Sequence, residues 1–255
     1  MTAETDVQEL SAGYVPPSLL AWRALERAAY AQIDVTPVLD LGAGLGVFTH
    51  VVAPQAIGVD LDGRQLKMGM SSATLKSALC ADLRQLPVAS DSVAAIIANC
   101  VFEHIPGVEL VVAEVARVLR PGGQVQLTVP LDSLDRGFAV RIGWYARMRN
   151  RQLSHINLLT QESWTQLWEE AGLEVVRARS VVSLGQTRRW DLIDAPLFLG
   201  VRRYTCGNLY QRIVLPRPKL LRLHRRLSEP LSRWVIRGQR AHDEPVCVFF
   251  ELRKK

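Results

Sequence analysis

The sequence predicts an α/β fold with a doubly wound sheet, and three observations support this prediction. Short apolar runs that read as buried strands alternate along the chain with segments of helical periodicity. The first run, Val38–Leu41, leads into a turn with glycine at every second position, 42–46. A carboxylate, Asp60, ends the next apolar run about 20 residues further on. This order of strand, glycine turn, helix and carboxylate is typical of sheets that bind a nucleoside.

The spacing of the glycines distinguishes between kinds of nucleoside-binding turn. A dinucleotide turn of the form G-x-G-x-x-G needs a third glycine at position 47, where this chain has Val47. The chain also has no Gly-Lys-Ser/Thr, which excludes a phosphate-binding P-loop. Its turn instead reads G-x-G-x-G, with Asp40 two residues before the first glycine. A glycine turn in some other doubly wound fold is the alternative that the turn alone leaves open.

The following elements continue the alternation of strand and helix. A third strand is predicted at 77–81, ending at Asp82 and Leu83, and a fourth at 93–99. Glu103 and His104 come next, before a helical pattern that runs to Leu119. Arg-Pro-Gly-Gly at 120–123 predicts a stop, and the fifth strand is expected to begin after it, at 124–129.

These elements, in this order, resemble the class I S-adenosylmethionine-dependent methyltransferases. The first motif of that family reads much like Leu-Asp-Leu-Gly-Ala-Gly-Leu-Gly at 39–46. Asp-Ser-Val-Ala-Ala-Ile-Ile at 91–97 and Val-Leu-Arg-Pro-Gly-Gly at 118–123 are also similar to family segments. The similarity is greatest to the small-molecule and lipid branch, methyltransferase type 11-like. It covers residues 36–183 and the last strand, and matches along five strands are more specific than the turn alone.

The resemblance implies S-adenosylmethionine as the cofactor, with contacts at the carboxyl ends of the first four strands. The expected contacts are Asp40, Gly42, Ala43, Gly44, Gly46, Asp60, Leu61, Asp82, Leu83 and Asn99. In the family, the acidic residue after the second strand accepts hydrogen bonds from the ribose hydroxyls, and that after the third meets the adenine amino group. Asp40 has the alternative role of a structural carboxylate that binds the amides of the turn. The alternative for Asp60 and Asp82 is a role in a turn or helix cap.

The resemblance also implies a Rossmann-like sheet of seven strands, mostly parallel, with the last strand antiparallel and inserted beside the fifth. The sixth strand is predicted at 174–182 and the seventh at 245–252. Residues 1–183 are then a methyltransferase core with an N-terminal helix, and residues 245–255 complete it with the final strand. Residues 184–244 form a basic helical lid insertion, far longer than the few residues that a hairpin needs.

The insertion contains a helical segment from Lys219 onward. An apolar stripe is predicted along it, formed by Leu220, Leu223, Leu227, Leu231, Trp234 and Val235. Ser228 before Pro230 predicts that the helix restarts there, with the serine as its cap. We expect a lid whose apolar stripe packs on the core. Contact with a membrane or lipid is the alternative, and the two can coexist.

Charge is unevenly distributed between the two parts of the chain. Residues 1–135 contain 8 Lys and Arg against 15 Asp and Glu, whereas residues 136–255 contain 23 against 10. The sulfonium of the implied cofactor is itself positive, so the cofactor does not require the basic half. An anionic or lipid-linked acceptor, an anionic membrane surface or nucleic acid are the partners that this half could attract. The sequence does not indicate an oligomeric state.

Further features favour a cytoplasmic enzyme, with peripheral membrane contact as the alternative. Cys80, Cys100, Cys206 and Cys247 form no C-x-x-C pair, so neither a disulfide framework nor a metal site is predicted. Residues 1–13 are acidic and lack the apolar core of a signal peptide. No apolar run approaches the roughly 18 residues of a membrane span.

The implied reaction is an in-line attack by an acceptor atom on the sulfonium methyl, in which positioning and desolvation supply much of the rate. An acceptor hydroxyl would need a general base, and histidine is the usual choice near neutral pH. His155, before a predicted helix at 161–171, and His104, after the fourth strand, are the candidates. The alternative is that both histidines only cap or pack helices.

Two other functions remain open from the sequence. A nucleic-acid methyltransferase would use the basic second half, but Ala98-Asn99-Cys100-Val101 departs from the Asn/Asp-Pro-Pro-Tyr/Phe of amino-directed enzymes. No RNA-binding module is recognisable either, so nucleic acid is not the favoured partner. A non-catalytic scaffold that binds the cofactor is the second alternative. The glycine turn and both carboxylates indicate that the cofactor binds, but they do not indicate that it is turned over.

Overall fold

A computed structural model of the chain describes residues 16–201, 204–205, 217–240 and 242–255. Residues 1–13 and Cys206, which entered the sequence predictions, lie outside the described residues. The chain divides into two compact units. The sheet unit comprises residues 30–132, 155–180 and 247–255, and the helical unit comprises the described residues of 1–29, 133–154 and 181–246. The helical unit therefore contains the predicted insertion together with two further stretches of chain.

The strands have the following bounds: β1 Val38–Leu41, β2 Ile57–Asp60, β3 Ser77–Cys80, β4 Val93–Asn99, β5 Leu119–Pro130, β6 Leu173–Ser183, β7 Gly200–Val201, β8 Tyr204–Thr205 and β9 Pro245–Lys254. Seven of them form one sheet in the order β3-β2-β1-β4-β5-β9-β6. Strands β1 to β5 pair in parallel. Strand β9 is antiparallel to β5, with Phe250 opposite Leu127. The structure thus confirms the predicted sheet and its inserted antiparallel strand.

The central strands are almost continuously apolar, with Asp40 of β1 as the exception, because both of their faces are covered. All four residues of β1 and the first six of β4 are buried. Trp164 and Trp168 stack at 5.4 Å in the same core and are fully buried. Strand β5 begins at Leu119, five residues before the predicted start. Its pairing with β4 shifts register between Val93 and Ala95, and this irregularity allows the strand to include residues 120–123, where the sequence predicts a stop.

The helices have the following bounds: α1 Pro17–Arg27, α2 Val47–Val52, α3 Gly63–Ser71, α4 Val108–Val118, α5 Leu134–Gly137, α6 Gly143–Leu153, α7 Gln161–Glu170, α8 Leu184–Asp194 and α9 Pro218–Ile236. Helix α7 begins as the sequence predicts, because the Thr160 side chain accepts a hydrogen bond from the Ser163 amide at 3.1 Å. No helix in the described part of the chain is both long enough and apolar enough to span a membrane.

The helical unit is centred on a buried cation, Arg149 of α6. Its guanidinium donates to Asp191 at 2.7 Å and to Asp194 at 2.6 Å, and all three side chains are largely or wholly buried. The Phe198 ring lies 5.0 Å from the guanidinium carbon. Asp191 also accepts from the Tyr145 hydroxyl at 2.8 Å, and burial together with this carboxylate raises the pKa of Tyr145 to about 12. An ionic network therefore joins α6 to α8.

Helix α9 is one continuous helix, so the predicted restart at Ser228 is wrong. Pro230 lies inside it and removes one backbone hydrogen bond, but the helix is held by its buried face. That face contains Ser228, Ser232, Val235 and Ile236. The Ser232 hydroxyl donates to the carbonyl of Pro17 in α1 at 3.0 Å. Tertiary packing thus outweighs the local preference of Ser-x-Pro for a helix start. The expectation that the apolar stripe packs on the core is wrong for Leu220, Leu227, Leu231 and Trp234, which are exposed, whereas Val235 is buried. The role of the insertion as a lid stays a prediction.

Candidate functional site

The glycine turn folds back on the end of β2. The amides of Gly42 and Ala43 donate to the Val59 carbonyl at 2.7 and 3.1 Å. Gly42 adopts a left-handed φ of 71°, and a Cβ there would lie 2.5 Å from Cγ2 of Val101. The turn therefore contacts the chain that leaves β4, and any side chain at position 42 would separate the two strand ends.

Gly46 is also a position where neighbouring atoms leave no room for a side chain, and substitution can test this. A Cβ at Gly46 would lie 2.3 Å from Cγ of the buried Leu75, whereas one at Gly122 would meet nothing within 4 Å. Both glycines are left-handed, with φ of 71° and 72°. We expect Gly122→Ala to cost about 1 kcal/mol for the backbone alone and Gly46→Ala about 1–3 kcal/mol more. Urea unfolding of both variants measures the difference, and equal losses would contradict the packing argument.

Asp60 ties the glycine turn to the end of β2. Its carboxylate accepts hydrogen bonds from the Gly44 amide at 2.9 Å and from the Asp62 amide at 2.8 Å. The alternative role considered for Asp40, binding of the turn amides, is thus performed at Gly44 by Asp60. Asp40 itself is buried and accepts a hydrogen bond from the Thr49 hydroxyl of α2.

A cavity of about 340 Å³ opens at the carboxyl ends of the central strands, within the range of small-molecule sites. Its lining includes six of the predicted residues: Gly42, Asp60, Leu61, Asp82, Leu83 and His104. Arg84, Cys100, Val101, Ile105 and Pro106 complete it. The other predicted residues are not in the lining: Asp40, Ala43, Gly44, Gly46, Asn99 and His155. The Asn99 amide oxygen instead accepts a hydrogen bond from the Thr128 hydroxyl of β5 at 2.8 Å.

Arg84 lies against the second carboxylate of the cavity. Its guanidinium donates to Asp82 at 2.6 Å, and its backbone amide donates to the same carboxylate at 2.9 Å. These hydrogen bonds lower the pKa of Asp82 to about 2, so the carboxylate is ionised near neutral pH. Arg84 is not among the residues predicted from the sequence, although an aspartate often accepts a hydrogen bond from the backbone amide two residues on, as Asp82 does here.

The chain leaving β4 has a strained backbone where it borders the cavity. Cys100 adopts a left-handed φ of 51°, which is uncommon for a residue with a side chain. Its amide donates to the carbonyl of Thr128 at 3.0 Å, and this bond holds the conformation in place. Such strain concentrates at functional sites because the surrounding structure must enforce it. The chain then turns through a short 3-10 helix, Phe102–His104.

The two histidines that the sequence offered separately lie side by side. The rings of His104 and His155 are 5.3 Å apart and nearly parallel, with an interplanar angle of 27°. Asn157 brings them together, because its side-chain amide donates to the carbonyls of Phe102 and Ile105 at 2.9 and 2.7 Å. Only His104 of the pair lines the cavity.

Glu103 is the residue of this group that sequence analysis did not assign. Its buried carboxylate lies 3.5 Å from Nε2 of His104. Ligand atoms of Glu103, His104 and His155 all lie within 4.8 Å of one another, a donor set that a divalent ion could use. The cluster joins segments that are far apart in the sequence, and no local spacing reveals it. A carboxylate directly before a histidine was the one signal available.

Comparisons with known sequences agree with this geometry. A family model described as a methyltransferase domain matches residues 14–178 of the chain. An arsenite methyltransferase of Aquipseudomonas alcaligenes is 30% identical over 115 residues, which cover 38% of this chain and only 33% of that relative. Methyltransferase GfsG of Streptomyces halstedii is 29% identical over 200 residues, which cover 72% of this chain and 69% of GfsG.

Solved structures share the fold at low sequence identity. Phosphoethanolamine N-methyltransferase 2 of Haemonchus contortus, in complex with S-adenosyl-L-methionine, aligns with a TM-score of 0.57 at 16% identity, covering 89% of this chain and 50% of that one. The [4+2]-cyclase SpnF aligns with a TM-score of 0.52 at 16% identity, covering 93% and 80%. At such identities the likeness shows the fold alone, and a cyclase shares it.

Proposed function

The chain belongs to the class I S-adenosylmethionine-dependent methyltransferases, and from that premise we propose that it methylates a small-molecule acceptor at the cavity described above. The observation that carries the proposal is the pair of carboxylates, Asp60 and Asp82, at the ends of neighbouring strands in one cavity. The acceptor that we propose is bulky, lipidic or anionic. The excess of Lys and Arg over Asp and Glu in residues 136–255, 23 to 10, supports the anionic character.

The residues of the cavity fit the cofactor. When bound, S-adenosylmethionine supplies an electrophilic methyl group on a sulfonium. Asp60 offers an ionisable acceptor for ribose hydroxyls, and Asp82 offers one for the adenine amino group. The turn at Gly42 has no side chain to fill the space beside Val101. Apolar residues line the cavity around these groups: Leu61, Leu83, Val101, Ile105 and Pro106. With cofactor and acceptor bound, these side chains would limit the access of water to the reacting atoms.

His104 is the proposed general base, which takes the proton from the hydroxyl or ammonium group of the methyl acceptor. It lines the cavity, its Nε2 lies 3.5 Å from the Glu103 carboxylate, and its ring stacks on His155. A neighbouring carboxylate favours the imidazolium that forms when the proton is taken. Glu103 and His155 are therefore positioning residues in this proposal, and they act through the ring of His104.

The proposed function is tested by titration calorimetry followed by an acceptor screen. S-adenosylmethionine and S-adenosylhomocysteine should bind the purified protein with micromolar Kd. Tritium from the labelled methyl group should then transfer to a member of a panel of arsenite, a malonyl thioester, phosphoethanolamine and anionic lipids. RNA is included in the panel as the rival acceptor. Absence of binding by both nucleosides would refute the proposal. Transfer to RNA would favour a nucleic-acid enzyme, and binding without transfer to any acceptor would favour a scaffold.

The histidine pair makes a separate prediction about turnover. We expect His104→Asn to lower kcat by about 100-fold, within the range for loss of a general base, and His155→Asn to lower it less. The double variant should be no slower than His104→Asn, because residues that act as a unit are not additive. The Kd for S-adenosylmethionine should stay within a few-fold of the parent. His50→Asn, an exposed histidine on α2, is the matched control. Unchanged kcat in His104→Asn would remove it from the mechanism.

A further inference from the structure

Helix α9 exposes an apolar stripe that the proposed methyl transfer does not use. The stripe consists of Leu220, Leu227, Leu231 and Trp234, all of them exposed. Leu227 is 58% exposed and Trp234 is 41% exposed. At about 100° per residue the four side chains lie within an arc of about 60° on the helix. They therefore form one narrow ridge along the surface of the helix.

The opposite face of α9 shows that packing holds the helix in this orientation. Ser228 and Ser232 are buried on that face, while leucines one position away from each, Leu227 and Leu231, point to solvent. Leucine is normally buried in preference to serine, and rotation of the helix about its axis would bury Leu227 and Leu231 and expose the two serines. The orientation is fixed by Val235 and by the hydrogen bond from Ser232 to Pro17. The exposed stripe is thus held in a defined direction.

Cations follow the stripe along one side. Lys219, Arg226 and Arg233 are exposed and lie on the adjacent sector of the same helix, and the exposed Arg237 follows its last residue. Arg233 is also within 3.8 Å of Glu229, at a distance where the ion pair is loose. An apolar ridge with tryptophan beside a row of cations has the form of a helix that lies in a membrane interface.

A second helix of the same unit repeats this combination. Trp144 and Met148 of α6 are exposed and one turn apart, and the exposed Arg147 lies beside them on the helix. Arg141, just before the helix, is exposed as well. Two helices of the helical unit therefore expose apolar side chains beside arginines.

We propose that the exposed stripe of α9 is a docking surface for an anionic phospholipid bilayer. The leucines and Trp234 would enter the interface while the neighbouring cations pair with lipid phosphates. A second copy of the chain fits less well, because pairing two stripes would bring two rows of like charges together. Nucleic acid would pair with the cations but leave the leucines exposed to water. The proposal concerns binding alone and holds or fails independently of methyl transfer.

Vesicle co-sedimentation tests the proposal with the intact chain. The protein should bind vesicles of phosphatidylcholine with 30% phosphatidylglycerol, about tenfold or more tightly than phosphatidylcholine alone, and salt should weaken the binding. Leu227→Glu should lower the partition coefficient at least tenfold. Leu110→Glu is the matched control, because Leu110 of α4 is also 58% exposed, and it should bind like the parent. Arg226→Gln with Arg233→Gln should weaken binding about fivefold per arginine and flatten the salt dependence.

Three results would overturn the proposal. They are absence of binding to the anionic vesicles at low salt, equal binding by Leu227→Glu and the parent, and equal loss in Leu110→Glu. Sedimentation velocity without vesicles tests the alternative that a second copy of the chain binds the stripe. A dimer that Leu227→Glu dissociates, with no vesicle binding by the parent, would assign the stripe to a second copy. Circular dichroism of each variant verifies that the fold is retained.

Discussion

Asp60→Ala is expected to raise the Kd for S-adenosylmethionine by about 100-fold. The substitution removes the carboxylate that accepts from the Gly44 amide at 2.9 Å and from the Asp62 amide at 2.8 Å, in the lining of the cavity. Hydrogen bonds to a charged group contribute about 1.5–3 kcal/mol each. In the variant the ribose hydroxyls would lose their hydrogen-bond acceptor, and the glycine turn would lose its hydrogen bond from the Gly44 amide. Calorimetric titration of S-adenosylmethionine and S-adenosylhomocysteine measures the change for both ligands.

Asp62→Ala is the matched control for this variant. Asp62 lies two residues further on and caps α3 by accepting from the Arg64 amide at 3.0 Å, and it does not line the cavity. We expect the Asp62 variant to bind both nucleosides within a few-fold of the parent. Asp60→Asn keeps the shape and removes the charge, so its Kd should fall between those of the parent and Asp60→Ala. A Kd within threefold of the parent for Asp60→Ala would show that this carboxylate does not hold the cofactor.

Arg149→Met is expected to lower the free energy of unfolding by about 3–5 kcal/mol. Breaking a buried ion pair by removing one partner leaves uncompensated charge, and here both Asp191 and Asp194 lose their cation. The methionine also forfeits the contact of the guanidinium with the Phe198 ring. Chemical unfolding followed by tryptophan fluorescence measures the loss, and Arg147→Met is the control. Arg147 is exposed on the same helix, so its substitution should change stability by less than about 0.5 kcal/mol.

The loss in Arg149→Met should depend on pH with a defined sign. Burial raises the pKa of Asp194 above its ordinary value of 3.8, against hydrogen bonds from Ser18 and Arg149 that lower it. Removing Arg149 lets this pKa rise further, so the folded variant binds a proton more readily than the unfolded chain. Stability of the variant relative to the parent should therefore recover as the pH falls through the raised pKa of Asp194. A loss below 1 kcal/mol at pH 8, or one that grows on acidification, would contradict the account.

The sheet and much of the cavity could be predicted because their signals are local. An apolar run of four to seven residues specifies a buried strand, and the glycine turn specifies its own backbone conformation. Asp60 is the last residue of β2 and Asp82 lies two residues beyond β3, and parallel strands end at one edge of the sheet. Adjacent strand ends therefore brought these carboxylates into one cavity without any further information. The position of the last strand came from the family resemblance.

The ionic network and the histidine cluster could not be predicted because their partners are distant in sequence. Arg149 and Asp194 are 45 residues apart, and no periodicity distinguishes this arginine from its exposed neighbour Arg147. His104 meets His155 only because Asn157 binds the carbonyl of Phe102, 55 residues away. Pairing of this kind depends on how the chain returns to the sheet edge, which no short spacing records.

By itself, the sequence determined the seven strands of the sheet apart from the start of β5, the glycine turn, the carboxylates at the strand ends and the amphipathic character of α9. The tertiary structure decided that Glu103, His104 and His155 form one cluster and that α9 buries Ser228 and Ser232 while it exposes Leu227 and Leu231. The physical reason is the same in both cases. Periodicity specifies which side chains share a face, whereas burial depends on which surface of another element that face meets.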